Sequence, residues 1–303
     1  MADVTWQDRL TGEDVERVRG LLLAARARDG RPEVSETGPL PRELRAGSHA
    51  LATGSGGALA GYAHLDLKGD AAGRPVAELY VHPDARRRGI GSALIDNVIR
   101  KRGGGPLRAW SHGDHPGAAR IAERFGFDRV RELLKMGLNF EAPDGPRLPV
   151  PTWPAGIRLR TFVPGQDERD VITVNRRAFD WHPEQGALTA EDLAAIEDEA
   201  WFDPDGFFLA VDPEDRLLGF HWTKVHNEDP PVGEVYVVGV DPDAQGGGLG
   251  RALTLAGLHH LHRGGLSRVI LYVEADNLPA VAVYTHLGFT TIETDVQYEL
   301  AIS

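Results

Sequence analysis

The strings "HPDARRRGIGSAL" at 82–94 and "DPDAQGGGLGRAL" at 241–253 constrain the fold of this chain more than any other feature. Each follows a run of apolar residues (Leu79-Tyr80-Val81; Val235 to Val240) and leads into a helical pattern. Each is therefore a glycine-rich turn between a strand and a helix. Further strings recur in the same order: "LATGSGGALAG" (51–61) with "LAVDPEDRLLG" (209–219), and "DHPGAARIAERFGF" (114–127) with "DNLPAVAVYTHLGF" (276–289). The separations, 158, 159 and 162 residues, are nearly constant, which indicates duplication. A period this long denotes two domains, because solenoid repeats are much shorter.

The 303-residue length agrees with two domains of ordinary size. Residues 141–156, EAPDGPRLPVPTWPAG, carry five prolines and read as an extended linker. The expected division is a first domain over 1–140 and a second over 157–303. Each half shows a helix (Glu13–Arg26; Glu168–Phe179), then a strand pair (His49–Thr53 with Ala58–Leu67; Phe207–Val211 with Leu217–Val225). The strand, glycine loop and helix follow (helices Ser92–Lys101; Arg251–Arg263). The second half continues with a strand at Val269–Val273, a short helix at Ala280–His286 and a strand near Val296–Ile302. This order suggests an α/β (α+β) class with a mixed central sheet flanked by helices.

Composition narrows the chemistry. There is no cysteine, so disulfides, thiolate metal sites and a thioester to the protein are excluded. The net charge of −12 disfavours general nucleic-acid binding. The sequence has no membrane span, and its first residues lack a signal-peptide pattern, so a cytoplasmic location is expected. His259, His260 and His262 share a helix without the spacing of a metal pair and are expected to be structural.

A helix start presents unpaired N–H groups and partial positive charge, and a loop without side chains lets an anion reach them. Gln245-x-x-Gly248-x-Gly250 and Arg86-x-x-Gly89-x-Gly91 place such loops directly before helices. Neither a Walker loop nor a dinucleotide fingerprint fits, since Arg251 stands where either would need lysine or glycine. The loop pattern, followed in order by Asn277, Tyr284 and Leu287-Gly288-Phe289, resembles the coenzyme A loop and later segment of the GNAT N-acetyltransferase superfamily. The resemblance spans essentially the whole chain, once per half.

That resemblance implies two tandem GNAT domains using acetyl-CoA as co-substrate and no metal. In the second half the cofactor contacts would be Val238, Gly239 and Val240 on the strand. Gln245, Gly246, Gly247, Gly248, Leu249, Gly250 and Arg251 would follow in the loop, and Asn277, Leu278, Pro279, Ala280, Val281 and Ala282 at the next helix. In the first half they would be Leu79, Tyr80, Val81, Arg86, Arg87, Arg88, Gly89, Ile90, Gly91 and Ser92. The family's direct attack of an amine on the thioester implies Glu234 as base and Tyr284 as acid. Tyr284 aligns with Ala122 and Asn277 with His115, so the first domain is expected to bind acetyl-CoA without turnover.

Longer strings, "GEVYVVGVDPDAQGGGLGRAL" (233–253) and "LYVEADNLPAVAVY" (271–284), are similar to those of tandem GNAT enzymes acting on a small amine. They imply an acceptor held by Glu36, Glu184, Lys224, Glu234 and Tyr272, and a monomer with no nucleic-acid or membrane partner. Strict alternation along the strand would put Glu234, Tyr236 and Val238 on one face, and Val235 and Val237 on the other.

Overall fold

The computed structural model describes residues 3–32, 34–41, 44–54, 56–70, 72–141, 148–181, 185–226 and 230–301. By packing, the chain forms two compact units, Met1–Glu132 with Thr294–Ser303, and Leu133–Glu293. The first half contributes β1 (Asp3–Gln7), α1 (Gly12–Asp29), β2 (Ser48–Thr53), β3 (Leu59–Asp66), β4 (Val76–Val81), α2 (Ile90–Lys101), β5 (Leu107–Ser111), α3 (Pro116–Phe125) and β6 (Asp128–Asn139). The second contributes β7 (Arg158–Thr161), α4 (Glu168–Ala178), α5 (Ala190–Glu197), β8 (Phe207–Val211), β9 (Leu217–His226), β10 (Val232–Val240), α6 (Leu249–Arg263), β11 (Arg268–Glu274), α7 (Leu278–His286) and β12 (Thr290–Leu300). The class is α/β, with a mixed sheet in each unit, as expected.

The first unit's strands run in the order β1-β2-β3-β4-β5-β12, and the second unit's in the order β6-β11-β10-β9-β8-β7. Neighbours are antiparallel except β4–β5 and β10–β11, which are parallel and are joined through α2 and α6. Such crossovers need a helix, which explains the position of the two glycine turns.

The last strand of each half joins the sheet of the other unit. Val296–Leu300 of β12 pair with Ser111–Leu107 of β5, and Leu133–Asn139 of β6 pair with Glu274–Arg268 of β11. The units are thus not two contiguous halves of sequence. Side chains fix the exchange. Val296 and Tyr298 enter the first unit's core with Leu94, Ile95 and Val98 of α2. On the other face, Arg108 donates to Gln297 at 2.8 Å and to Glu299 at 2.7 Å.

α1 packs its buried residues Val18, Leu21 and Leu22 against Tyr62 on the opposite face of the first sheet. In the second unit α6 sets Leu255, Leu258 and Leu261 against Val235, Val269 and Leu271. α4 and α5 cover the other face through Val171, Val174 and Leu193, against Phe207, Phe220 and Trp222. A reciprocal cap starts α5: Thr189 Oγ1 accepts from the Asp192 N–H, while the Asp192 carboxylate accepts from the Thr189 N–H, both at 3.1 Å.

Val296 is fully buried. We expect Val296→Ala to lower stability by about 2 kcal/mol, from two lost methyl groups and the cavity left behind. Denaturant unfolding should show the loss in the first unit's transition, although the residue lies in the last strand of the chain.

Candidate active site

Pairing between β10 and β11 covers only Gly233–Val269, Glu234–Ile270 and Val235–Leu271. β10 then runs on to Val240 beside β9 alone. The two parallel strands therefore part after Val235 and leave a wedge whose β10 edge offers unpaired backbone groups. At the same point the β9–β10 register shifts between Val235 and Val237, so β10 carries a bulge. Tyr236 and Val237 consequently both pack toward the aromatic cluster of Phe207, Phe220 and Trp222. Val235 and Val238 both pack on the α6 face. This corrects the alternation expected from sequence. Glu234 and Tyr236 do share a face, but Val238 lies opposite, because one extra residue resets the phase.

At the far end of β10 the chain turns through Pro242–Ala244, capped by the Asp241 carboxylate on the Asp243 N–H at 3.0 Å. Gln245 Nε2 donates to the Val240 carbonyl at 3.2 Å, so part of this side chain holds the loop rather than facing a ligand. Gly246 and Gly248 adopt φ of +85° and +84°, and a Cβ at either would meet nothing within 4 Å. α6 begins at Leu249 with no side-chain cap on its first N–H groups. Gly247 and the exposed Arg251 flank this opening, and Gly250 packs close to Val240. Bare amides at an uncapped helix start fit a diphosphate. Asn277 is the N-cap of α7, its Oδ1 accepting from the Ala280 N–H at 3.3 Å. Leu278 and Ala282 are exposed beyond it, Pro279 occupies the first turn, and Ala280 and Val281 pack inward.

The first unit repeats the wedge. β4 pairs with β5 only at Val76–Arg108 and Ala77–Ala109. A cavity of about 810 Å³ opens between Leu79–Val81 and Trp110–His112 and runs to the loop at Arg86–Ser92. Gly89, at φ +82°, starts α2 without a side-chain cap. Arg87 holds φ +59° where the second half has Gly246. A Cβ on Gly91 would meet the end of the Ile121 side chain at 2.8 Å, which would have to shift to admit it. Arg86 donates to the Val81 carbonyl at 3.2 Å and to Asp29 at 2.9 Å, so it too is partly spent on structure. Arg88 is exposed, Ile90 buried, and Ser92 Oγ accepts from Arg124 at 3.5 Å.

The side chains inside this wedge differ. Ala122 is buried where the second half has Tyr284. Glu78 stands where the second half has Val237, accepting from the Tyr80 hydroxyl at 2.5 Å. His112 lies between Asp295, at 3.2 Å, and Glu78, at 3.7 Å. Burial by itself disfavours the imidazolium, but the hydrogen bonds to Asp295 and Glu78 outweigh it and push His112 up to about 10. His115 caps α3 by accepting from the Gly117 N–H at 3.0 Å, as Asn277 caps α7.

The GNAT acetyltransferase family profile matches residues 174–289, and a GNAT acetyltransferase domain profile matches residues 46–129. The mycothiol acetyltransferase of Saccharomonospora viridis is 59% identical, with 98% of this chain and 99% of that protein covered. Those of Amycolatopsis mediterranei and Actinosynnema mirum are each 55% identical, over 98% and 99% of this chain and 98% and 100% of theirs. The chain belongs to the GNAT acetyltransferases and, within them, to the family of the mycothiol acetyltransferases. Among solved structures, a GCN5-related N-acetyltransferase from Sphaerobacter thermophilus shares the fold at a TM-score of 0.75 and 24% identity, covering 98% of this chain and 95% of that one. A tandem GNAT protein from the clavulanic acid biosynthesis pathway shares it at 0.69 and 23%, over 99% and 98%.

The enzyme is thus an acetyl-CoA-dependent N-acetyltransferase, and its second unit gathers the expected reactive groups about the wedge. Glu234 is buried at the last turns of pairing before the strands part, with its carboxylate 2.6 Å from His226 Nε2. Lys224 is its cross-strand partner on β9, with Nζ 4.4 Å from the Trp201 ring centroid and 5.2 Å from that of Tyr236. Tyr272 follows Ile270, the β11 partner of Glu234, by two residues and so shares its face, half exposed beneath Lys135. Tyr284 packs on the other face, edge-on to Phe289 at 5.9 Å. Burial pushes its phenol up to about 12, and its hydroxyl has no partner among the described residues. Glu36 is an exposed residue of the first unit, and Glu184 lies outside the described residues. Sequence reading missed the partnership of His226 with Glu234, although its alternation with Lys224 was legible. It missed Glu78, His112 and Asp295 altogether. Among the described residues no acidic or histidine cluster could hold a metal, and no helix is long and apolar enough to cross a membrane. His259 instead bonds the Pro149 carbonyl at 3.0 Å, and His262 packs on Phe140.

The His112 cluster gives a pH signature. A folded pKa of about 10 against 6.5 unfolded means stability fully present below pH 6.5 and lost as pH rises through 10. His221, lowered to about 4 by burial, acts in the opposite direction and only below pH 6.5. Denaturation midpoints of the wild type should therefore fall between pH 6.5 and 10, and His112→Gln should flatten that slope.

Proposed function

We propose that the enzyme transfers the acetyl group of acetyl-CoA to the cysteinyl amine of a cysteinyl-glucosaminyl-inositol, forming mycothiol. The C-terminal domain (157–303) carries the chemistry, and the N-terminal domain (1–140), joined by the 141–156 linker, binds acetyl-CoA without turning it over. The observation that carries this reading is the pairing of buried Glu234 with the half-buried His226, at 2.6 Å, beside the point where β10 leaves β11 and bulges. The near-full-length likeness to mycothiol acetyltransferases supports the acceptor.

In this reading the β10 edge at Val238–Val240 holds the pantetheine arm as an added strand, and the amides at Gly246–Leu249 hold the diphosphate. The amine attacks the thioester carbonyl. Glu234 receives its proton, directly or through a water, with His226 holding the carboxylate in place. An α-amine titrates near 8 rather than near 10.4 as lysine does, so a modest base suffices. A bulge N–H serves the tetrahedral oxyanion. As the C–S bond breaks, Tyr284 gives its proton to the departing thiolate. Its raised pKa keeps that proton in place through neutral pH. Lys224, Glu234, Tyr272, Glu184 and Glu36 are the proposed acceptor contacts.

The N-terminal domain offers a cavity of about 810 Å³ but not this chemistry. It has Ala122 in place of the acid, and the Glu78 carboxylate in its wedge opposes a developing oxyanion. The proposed enzyme acts in the cytoplasm as a monomer.

Mass spectrometry of the product from acetyl-CoA and the cysteinyl pseudodisaccharide tests the acceptor; acetylation of another amine instead would overturn it. Gly248→Glu should abolish turnover, whereas Gly89→Glu should leave it within a few fold; the reverse result would exchange the roles of the domains. Tyr284→Phe should lower kcat by about 10²-fold or more with little change in acetyl-CoA affinity. Equal losses in both would make Tyr284 a packing residue.

A further inference from the structure

The first unit's wedge differs from the second unit's in its charge as well as in its reactive groups. Five arginines line the cavity of about 810 Å³, Arg28, Arg31, Arg86, Arg87 and Arg120, against two carboxylates, Asp29 and Glu78. Both carboxylates are already engaged: Asp29 accepts from Arg86, and Glu78 stands beside His112. Arg87 and Arg120 are exposed and have no hydrogen-bond or ion-pair partner among the described residues. The cavity thus carries unneutralised positive charge in a chain whose net charge is −12.

The matching positions of the second unit lack that charge. Arg87 is matched by Gly246 and Arg120 by Ala282. Residues 82–94 hold three arginines and one aspartate, whereas residues 241–253 hold one arginine and two aspartates. Arg87 keeps its side chain in left-handed backbone, at φ +59°, where Gly246 adopts φ +85° without a Cβ. A charge kept at a position better suited to glycine points to a use for the charge. Guanidinium groups meet phosphate oxygens as a two-pronged fork, and such charge-assisted bonds are about twice as strong as neutral ones. A site that must release coenzyme A in every cycle is slowed by so firm a hold, because product release then limits the rate. A site without turnover has no such limit.

We infer that the N-terminal site keeps its acetyl-CoA as a resident that stays bound through turnover, with Arg87 and Arg120 holding the nucleotide phosphates, while the C-terminal site exchanges. The inference rests on the proposed binding of acetyl-CoA by the N-terminal domain, and adds the residues that retain it and the reason one site holds while the other releases. The full chain is loaded with tritiated acetyl-CoA in about 0.5 M NaCl, where exposed charges are screened, returned to about 0.05 M, and chased with excess unlabelled acetyl-CoA. No acceptor is needed. We expect two equivalents of label per chain, one released fast and one slowly, with salt speeding the slow phase. Arg87→Gly supplies the residue that the backbone suits, and Arg120→Ala a strong helix former at an exposed position of α3, so both variants keep the fold. Each should speed the slow phase about tenfold, and Arg120→Lys, which keeps the charge, should stay close to the wild-type rate. Two equivalents leaving at one common rate, or a slow phase unmoved by Arg87→Gly and Arg120→Ala together, overturns the inference alone. A single equivalent per chain overturns N-terminal binding of acetyl-CoA along with it. Failure of the mycothiol reading shows separately, as absence of acetylation of the cysteinyl conjugate.

Discussion

The parting of β10 from β11 after Val235 is the constraint on which the rest of the C-terminal unit depends. A parallel ladder interrupted in the middle of a sheet leaves a row of backbone donors and acceptors on one edge, which would be costly unless the edge faces solvent or an extended partner. The bulge at the same place turns Tyr236 and Val237 to one face together, against Trp222 and Phe220. Glu234 stands just before the break and the glycine turn just after the strand's end. One backbone irregularity thus lies between the carboxylate and the bare amides of the glycine turn, and α6 is packed behind both by Leu255, Leu258 and Leu261.

The N-terminal unit keeps the same break between β4 and β5 and the same uncapped helix start, yet fills them with different side chains. Glu78, His112 and Asp295 form an ionic cluster, with Glu78 standing where the other unit has Val237, and Ala122 replaces a phenol. Geometry depends on pairing patterns that many sequences satisfy, whereas chemistry depends on single atoms. After duplication the first can persist while the second is lost or changed.

The reciprocal exchange of β6 and β12 ties the fate of each unit to sequence from the other half. Arg108 lies across from Glu299 in register and also bonds Gln297, so the pairing is specified by charge as well as by the burial of Val296 and Tyr298. A carboxylate from β12, Asp295, completes the His112 cluster. The first wedge therefore owes one of its charged groups to the far end of the chain.

The sequence by itself determined the duplication, the class of fold, the two strand–glycine–helix units and the acetyltransferase family, because these rest on local periodicity and on contiguous motifs. Phe207–Val211 is bounded as the sequence implies, and the α6 and β11 spans differ by only one or two residues at each end. β1, β5, α3, β6, β7 and α5 escaped notice, most being short or rich in polar residues whose place comes from their neighbours. Tertiary structure alone decided which strand pairs with which, where β10 bulges, and that His226 sits on Glu234. Those outcomes depend on contacts between residues far apart in the chain, and a register shift of one residue moves a side chain from one face of a sheet to the other without leaving any mark on the local pattern.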